Sequence, residues 1–277
     1  MRRWLGIDFS GDYRMWSPGR SKTNVWIADV RSQGEQKVLN CLVPVQRLAG
    51  VETPFRNLIN LLKSRDFEAA AIDAPFSLPF EYLPAGGHER LLDIVSKAER
   101  AQDRPFPEAK DFLRSVLADR PLNSKKPLRR TEQYWRDRKV NVRSTLWSGP
   151  RGGAAMTSAS LTLLCSAQCP IWPWDQPPGR GLLVEAFPAA QLCHWKLCYR
   201  AYNGRQEQAH AIRRGLVGGI STRVNLGRFR QELEGSADKL NAVVCALAAI
   251  AVTTHSLPHF LNQAPSDDEG LIAILNN

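Results

Sequence analysis

Four acidic residues stand where apolar segments end or where a helix begins. Asp8 ends "WLGID", Asp73 ends "EAAAID" and Glu185 ends "GLLVE". Asp238 lies in the first turn of a helix predicted over "GSADKLNAVVCALAAIAVTTH". Clustered carboxylates repel one another unless a cation lies between them, and Mg²⁺ binds through oxygen ligands. Two such ions can clamp the attacking and leaving oxygens of a phosphodiester, so the four acids predict a Mg²⁺ or Mn²⁺ site for phosphodiester cleavage.

Two of these acids also have a purely structural interpretation. Asp8 is followed by Ser10 and Gly11, which favour turns, so the end of a strand would explain it equally well. Asp238 near a helix N-terminus interacts favourably with the helix dipole, an effect worth about 0.3–1 kcal/mol. The argument for a site therefore depends on whether the acids come together.

The predicted elements place the first three acids at strand ends. "RRWLGIDF", "NVWIADV" and "QKVLNCLVPV" have the composition of strands, and "FEAAAIDAPFSLP" is typical of a strand buried on both faces. Thr53 and Pro54 predict the start of a helix, as do Pro188 and Ser236 further along the chain. In open α/β sheets, sites form at the carboxyl ends of strands, so these acids can converge.

The middle of the chain has a different character. Residues 79–180 combine helical periodicity with a basic stretch and a proline-rich loop. We therefore expect an α/β core formed by residues 1–78 and 181–277, with residues 79–180 as a basic, mostly helical insertion within the same domain. No internal repeat is visible.

The net charge of +10 is concentrated in two segments. Residues 101–151 contain thirteen Lys and Arg against six acids, and residues 196–230 contain eight against one. Such segments are typical of a surface that binds polyanions, although a solvated face that aids solubility explains the charge equally well. The candidate nucleic-acid contacts are Arg129, Arg130, Arg136, Arg138, Lys139 and Arg143. In the second segment, Gly218 and Gly219 are typical of a turn.

Short blocks spread over most of the chain resemble domain-of-unknown-function family 429, whose members are described as predicted nucleases with a ribonuclease H-like fold. The blocks are "GIDFSGD", "AAIDAPFSLP", "LLVEAFPAAQL", "SADKLNAVVCALAAIAV" and "DDEGLIAIL". The resemblance implies a mixed sheet flanked by helices and metal-dependent hydrolysis, with Asp8, Asp73, Glu185 and Asp238 as metal ligands. Asn241 departs from the family pattern, because related proteins often have a second acid there.

Composition narrows the classes of protein. The longest apolar run, Val243 to Val252, is shorter than the 20 or so residues that cross a bilayer, and "MRRWLGIDFSGD" does not resemble a signal peptide. Six cysteines suit reduced thiols, and the three- and four-residue gaps in the two close pairs do not match a zinc ribbon, so no zinc is expected. We expect a cytoplasmic protein that binds nucleic acid and no membrane, and the oligomeric state stays open.

Two alternative functions stay open. "GIDFSGD" could serve as the first phosphate loop of an actin-like or sugar-kinase-like phosphotransferase, but "IDAPFSLP" and "VEAFPAA" lack the glycines of a second such loop. A non-catalytic nucleic-acid-binding protein is favoured if Asn241 marks a site that has lost a ligand.

Overall fold

The computed structural model describes residues 1–118, 120–122, 126–149, 152–175, 179–259 and 269–276. Of the block "DDEGLIAIL", the first two residues, Asp267 and Asp268, lie outside the described residues. Within the described ranges, no helix has both the length and the apolarity needed to cross a bilayer.

A five-stranded mixed sheet forms the centre of the protein. The strands are β1 (Arg3–Asp8), β2 (Trp26–Gln33), β3 (Gln36–Pro44), β4 (Ala69–Ile72) and β5 (Leu182–Glu185). Their order across the sheet is β3-β2-β1-β4-β5. Strands β1, β4 and β5 run parallel, whereas β2 is antiparallel to both of its neighbours. This architecture confirms the predicted α/β class and is consistent with a ribonuclease H-like core.

Nine α-helices of the described residues surround the sheet. They are α1 (Pro54–Lys63), α2 (Gly87–Ser96), α3 (Ala109–Leu117), α4 (Arg130–Asp137), α5 (Gly153–Ala167), α6 (Pro188–His194), α7 (Glu207–Ile220), α8 (Arg230–Gly235) and α9 (Ala237–Thr253). The predicted helix starts at Pro54, Pro188 and Ser236 are confirmed, and the Ser236 hydroxyl caps α9. The predicted turn at Gly218 and Gly219 is not present, because both glycines lie inside α7.

The two faces of the sheet have different helices against them. Leu5 and Ile7 of β1 pack into one apolar cluster with side chains from α1, α2, α3 and α5. Trp4 packs into the opposite cluster, which contains side chains of α6, α7, α8 and α9. Because successive side chains of a strand point to opposite faces, Asp8 has the orientation of Trp4 and Gly6, toward α9.

The segment 79–180 contributes directly to the first face of the sheet. Leu91 of α2, Phe112 of α3 and Leu161 of α5 all belong to the same cluster as Leu5 and Ile7. Between these helices, the described residues 97–108, 126–129 and 138–149 are largely irregular. The division of the chain into a core and an insertion therefore stays a prediction from the sequence.

Gly6 permits the closest contact between the sheet and a helix. A Cβ atom at this position would lie 2.0 Å from the carbonyl oxygen of Ala242 and 2.2 Å from the amide nitrogen of Ala246. Helix α9 therefore rests on the backbone of β1, with small residues on both sides of the contact. The contact fixes the N-terminal turns of α9 beside the carboxyl end of β1, where Asp8 lies.

Replacing Gly6 with alanine should destabilise the protein by at least about 1–3 kcal/mol, because the added methyl group has no space against α9. Urea unfolding of Gly6→Ala measures the loss. Gly19→Ala is the matched control, since a Cβ there meets nothing within 4 Å. Equal stability of the two variants would contradict the close packing of α9 on β1.

Candidate active site at the carboxyl edge of the parallel strands

The parallel register brings three of the predicted acids to one edge of the sheet. Ile7 is level with Ile72, and Ile72 is level with Glu185. The pairing continues one residue further, since the Asp73 amide donates to the Ile7 carbonyl at 2.9 Å. Asp8 and Asp73 therefore lie one residue further along the chain than Ile7 and Ile72, the residues in register with Glu185.

This one-residue offset decides which acids meet. Glu185 shares its level with Ile7 and Ile72, which face the cluster containing α1 and α5. Asp8 and Asp73 come one residue later and therefore point to the other face, toward α9. The carboxyl edge thus carries an aspartate pair on one face and a glutamate on the other.

Asp8 and Asp73 form a hydrogen-bonded pair. Asp8 is 6% exposed and donates a proton to the carboxylate of Asp73, which is half-buried. Burial, followed by the charge of Asp73, raises the pKa of Asp8 well above its usual range. Burial and the charge of Glu185 raise the pKa of Asp73 to about 7. The two carboxyl groups therefore hold a shared proton that a cation could replace.

Helix α9 supplies a polar chain behind the pair. The Asn241 amide nitrogen lies 3.4 Å from Asp8 Oδ1, and the Asn241 oxygen accepts from the Tyr202 hydroxyl at 3.0 Å. Burial, reinforced by the nearby aspartates, raises the pKa of Tyr202. Tyr202 thus stays a donor and orients Asn241 so that its amide faces Asp8. The residue that departs from the family pattern is a hydrogen-bond partner of the acid pair.

Asp238 faces the same region from the first turn of α9. Its charge raises the pKa of Asp8, so the two carboxyl groups are electrostatic neighbours. Burial raises the pKa of Asp238 itself, and the charge of Arg213 opposes that shift. The sequence analysis expects all four acids to converge. Asp238 is an electrostatic neighbour of Asp8, and Glu185 of Asp73, while their role as metal ligands stays a prediction.

Glu185 is engaged in a buried ion-pair network instead. Arg129 binds both of its carboxylate oxygens, at 2.5 and 2.7 Å, and also binds Glu132 at 2.9 Å. Burial alone would lower the pKa of Arg129, but the charges of the two glutamates more than offset it, so the pKa is raised. The Phe76 amide donates to Glu185 Oε2 at 2.9 Å, the oxygen that Arg129 Nη1 also contacts. The Glu185 carboxylate is therefore neutralised by protein groups.

The same network fixes the loop that follows β4. Besides the Phe76 amide held by Glu185, the Phe76 carbonyl accepts from His88 at 2.7 Å. The His88 ring is buried and stacks on Trp174 with 3.5 Å between ring centroids. Burial lowers the pKa of His88 to about 4, so the ring is neutral at pH 7. The loop that follows Asp73 is thus held at Phe76, by Glu185 at the amide and by His88 at the carbonyl.

A cleft of about 840 Å³ opens over this edge of the sheet. Asp73 lines it, together with Glu185, Arg129 and Asn241. Further out, its lining includes Lys139, Arg143, Arg200, Tyr199, Phe187 and Gly153. An acidic floor below a rim of exposed basic residues is an arrangement that accepts an anionic substrate near the aspartates.

The six predicted nucleic-acid contacts divide into three groups. Lys139 and Arg143 are exposed and line the cleft. Arg130, Arg136 and Arg138 are exposed outside it, among the residues that the structure describes. The prediction that Arg129 is a surface contact for nucleic acid is wrong, because its side chain is 1% exposed and is paired with two glutamates. Arg200, by contrast, lines the cleft. The sequence analysis included it only as part of the basic segment 196–230.

The acids fit one divalent cation better than two. Across the described ranges, no group of three or more His, Cys, Asp or Glu side chains is arranged to hold a metal ion. The donors that do lie together are the carboxyl groups of Asp8 and Asp73. Mg²⁺ commonly binds through one or two carboxylates and keeps several waters, so this pair suits it. The Glu185 oxygens, already bound by Arg129, do not offer a second site of this kind.

The protein has an α/β fold, and its strand order and directions are consistent with a ribonuclease H-like core. The chain belongs to the family described as "Protein of unknown function (DUF429)", which it matches over residues 6–268. The family resemblance seen in the motifs is thereby confirmed. No curated protein and no solved structure matches the chain.

The raised pKa of Asp73 predicts a pH dependence of stability without metal. The folded state holds a proton up to about pH 7 that the unfolded chain releases near pH 4, so stability should fall as pH rises through this interval. Asp73→Asn should flatten the decline of the melting temperature between pH 5 and about pH 8. His88 acts in the opposite direction below pH 6.5 in both proteins and cancels in the comparison.

Asp103→Asn, at an exposed carboxylate, is the control and should leave the wild-type decline in place. An Asp73→Asn profile that falls as steeply as the wild-type profile would show that the aspartate pair does not retain the proton.

Arg129→Met should destabilise the protein by about 3–5 kcal/mol, because it leaves Glu132 and Glu185 buried without a cation. Arg130→Met removes an exposed neighbouring charge and should change the stability by no more than about 0.5 kcal/mol. Denaturant unfolding of the two variants measures the difference. Similar stabilities would contradict the buried network.

Proposed function

We propose that this protein is a metal-dependent nuclease that hydrolyses phosphodiester bonds of nucleic acid at the Asp8–Asp73 pair. The observation that carries the proposal is the pair itself: parallel strands bring two carboxyl groups to one edge of the sheet, beside a cleft lined by exposed basic residues. Such a pair costs free energy through repulsion once both groups ionise, and a divalent cation removes that cost. Asp8 and Asp73 would hold Mg²⁺ or Mn²⁺, with Asp238 close by.

The bound cation would supply a Lewis acid for the phosphate and a water of lowered pKa. The residues of this chain have separate tasks. Asp8 and Asp73 bind the ion, and Asn241 keeps Asp8 oriented through its amide. Glu185 holds the loop after Asp73 through the Phe76 amide, while Arg129 fixes the position of Glu185. In this assignment Glu185 is a positioning residue.

Lys139, Arg143 and Arg200 supply the contacts to substrate phosphates. All three are exposed at the cleft, so they can neutralise phosphate charges without a change in the fold. Arg130, Arg136 and Arg138 lie outside the cleft and would bind the more distant part of a nucleic-acid chain. We place the activity in the cytoplasm, because all six cysteines are free thiols, which suits a reducing compartment.

A second candidate function is nucleic-acid binding without catalysis. Two observations favour it: Glu185 is neutralised by Arg129, and an amide at Asn241 faces Asp8 in place of an acid. A protein of this kind would bind nucleic acid through the same basic rim and show no affinity for Mg²⁺ or Mn²⁺. Metal titration therefore separates the two candidates.

Asp8→Asn should retain the fold and abolish Mn²⁺-dependent cleavage. Asparagine can donate to Asp73 as the protonated Asp8 does, and it removes a potential charge from the pair, so the metal-free variant should melt at or slightly above the wild-type temperature. The rise in melting temperature that Mn²⁺ gives the wild type should disappear. Thermal melts with and without Mn²⁺ and cleavage assays on single- and double-stranded DNA and RNA measure both effects.

Asp12→Asn is the matched control, because Asp12 follows in the same loop and is bound by Arg14. It should keep the Mn²⁺ shift and the cleavage. A wild-type protein that shows no Mn²⁺ shift and cuts none of the four substrates would refute the nuclease proposal. A shift without cleavage would leave metal binding in place and refute the reaction.

A further inference from the structure

The two sides of the cleft are joined by hydrogen bonds. One side follows the end of α4, where Lys139 turns the chain with a positive φ of 66°. The other side follows α6 and includes Tyr199 and Arg200. The Arg200 guanidinium donates to the Lys139 carbonyl at 2.7 Å, and the Tyr199 hydroxyl donates to the Arg138 carbonyl at 3.4 Å. These contacts join two segments of the cleft lining that are 61 positions apart in sequence.

The size of the cleft limits what can reach the aspartates. Its volume of about 840 Å³ lies in the range of pockets for small molecules, about 300–1,000 Å³, rather than that of a groove that holds a duplex. Of the pair, Asp73 lines the cleft and Asp8 is 6% exposed, so a phosphate in the cleft would approach the pair through Asp73.

The lining has the mixed character that a nucleotide requires. Phe187 and Tyr199 are half-buried aromatic residues that present ring surface to the cleft, where a base can stack. Val142 and Ile272 add apolar surface beside them. Arg143 is an exposed cation at the same cleft, suited to a phosphate. A base and a phosphate therefore both find partners within one cleft.

We infer that the cleft takes in the terminal one or two nucleotides of a single strand, so that the protein acts on chain ends. The inference rests on the proposed nuclease function for its reaction, and on the joined walls and the cleft volume for its substrate. The Arg200–Lys139 contact joins two segments of the cleft lining, an arrangement that favours entry of a free end over passage of a continuous strand. Sequence preference is weak in such a site, because every base has a face that can stack.

The test uses the full-length protein, Mn²⁺, a linear single-stranded oligonucleotide and the same oligonucleotide ligated into a circle, as both DNA and RNA. We expect the linear strand to lose mono- or dinucleotides progressively while the circle stays intact. Cleavage of the circle at a rate similar to that of the linear strand would overturn the inference and leave the nuclease proposal standing.

A binding measurement tests the cleft independently of cleavage. Adenosine monophosphate, titrated without metal, should bind the wild type and bind Arg143→Ala at least about fivefold more weakly, because the variant loses a charge-assisted contact. Arg114→Ala is the matched control, since Arg114 is an exposed arginine of α3 outside the cleft lining, and it should bind as the wild type does.

The two experiments distinguish the failures. If neither oligonucleotide is cut but the monophosphate binds with the expected dependence on Arg143, the nuclease proposal fails and the nucleotide-sized site is supported. If the monophosphate does not bind, or binds both variants equally, the inference about the cleft is overturned, whatever the cleavage assay shows.

Discussion

The alternation of side chains along three parallel strands decides the chemistry of this protein. Because β1, β4 and β5 share one register, Asp8 and Asp73 stand one level beyond Glu185 and point to the opposite face of the sheet. The aspartates face α9, which is fixed against the strand backbone at Gly6. A shift of one residue in either pairing would separate the two aspartates and remove the site.

Buried carboxyl groups are stabilised in different ways on the two faces of the carboxyl edge. On one face Arg129 pairs with Glu132 and Glu185, at the cost of burying all three side chains. On the other face a shared proton neutralises the pair of Asp8 and Asp73, and a proton can be exchanged for a cation. The first arrangement suits a structural support and the second suits a functional site. The proposed function follows from this difference.

Much of the fold could be predicted from the sequence, because its signals are local. Strand composition and helix starts such as Pro54 and Pro188 predicted many of the strands and helices. The acids at strand ends predicted which edge of the sheet would carry the candidate site. Helix α7 was missed because Gly218 and Gly219 favour turns locally, and tertiary packing overrides that preference. The network around Arg129 depends on partners 56 residues away, and no local pattern distinguishes a buried arginine from an exposed one in a basic segment.

The most direct test of the account is a crystal structure of the protein with Mn²⁺ at pH 8, with the ion located by its anomalous scattering. The account predicts one peak between the carboxylates of Asp8 and Asp73, with Glu185 still bound to Arg129. The absence of a peak at the aspartate pair, or a peak bound to Glu185 with Arg129 displaced, would contradict it.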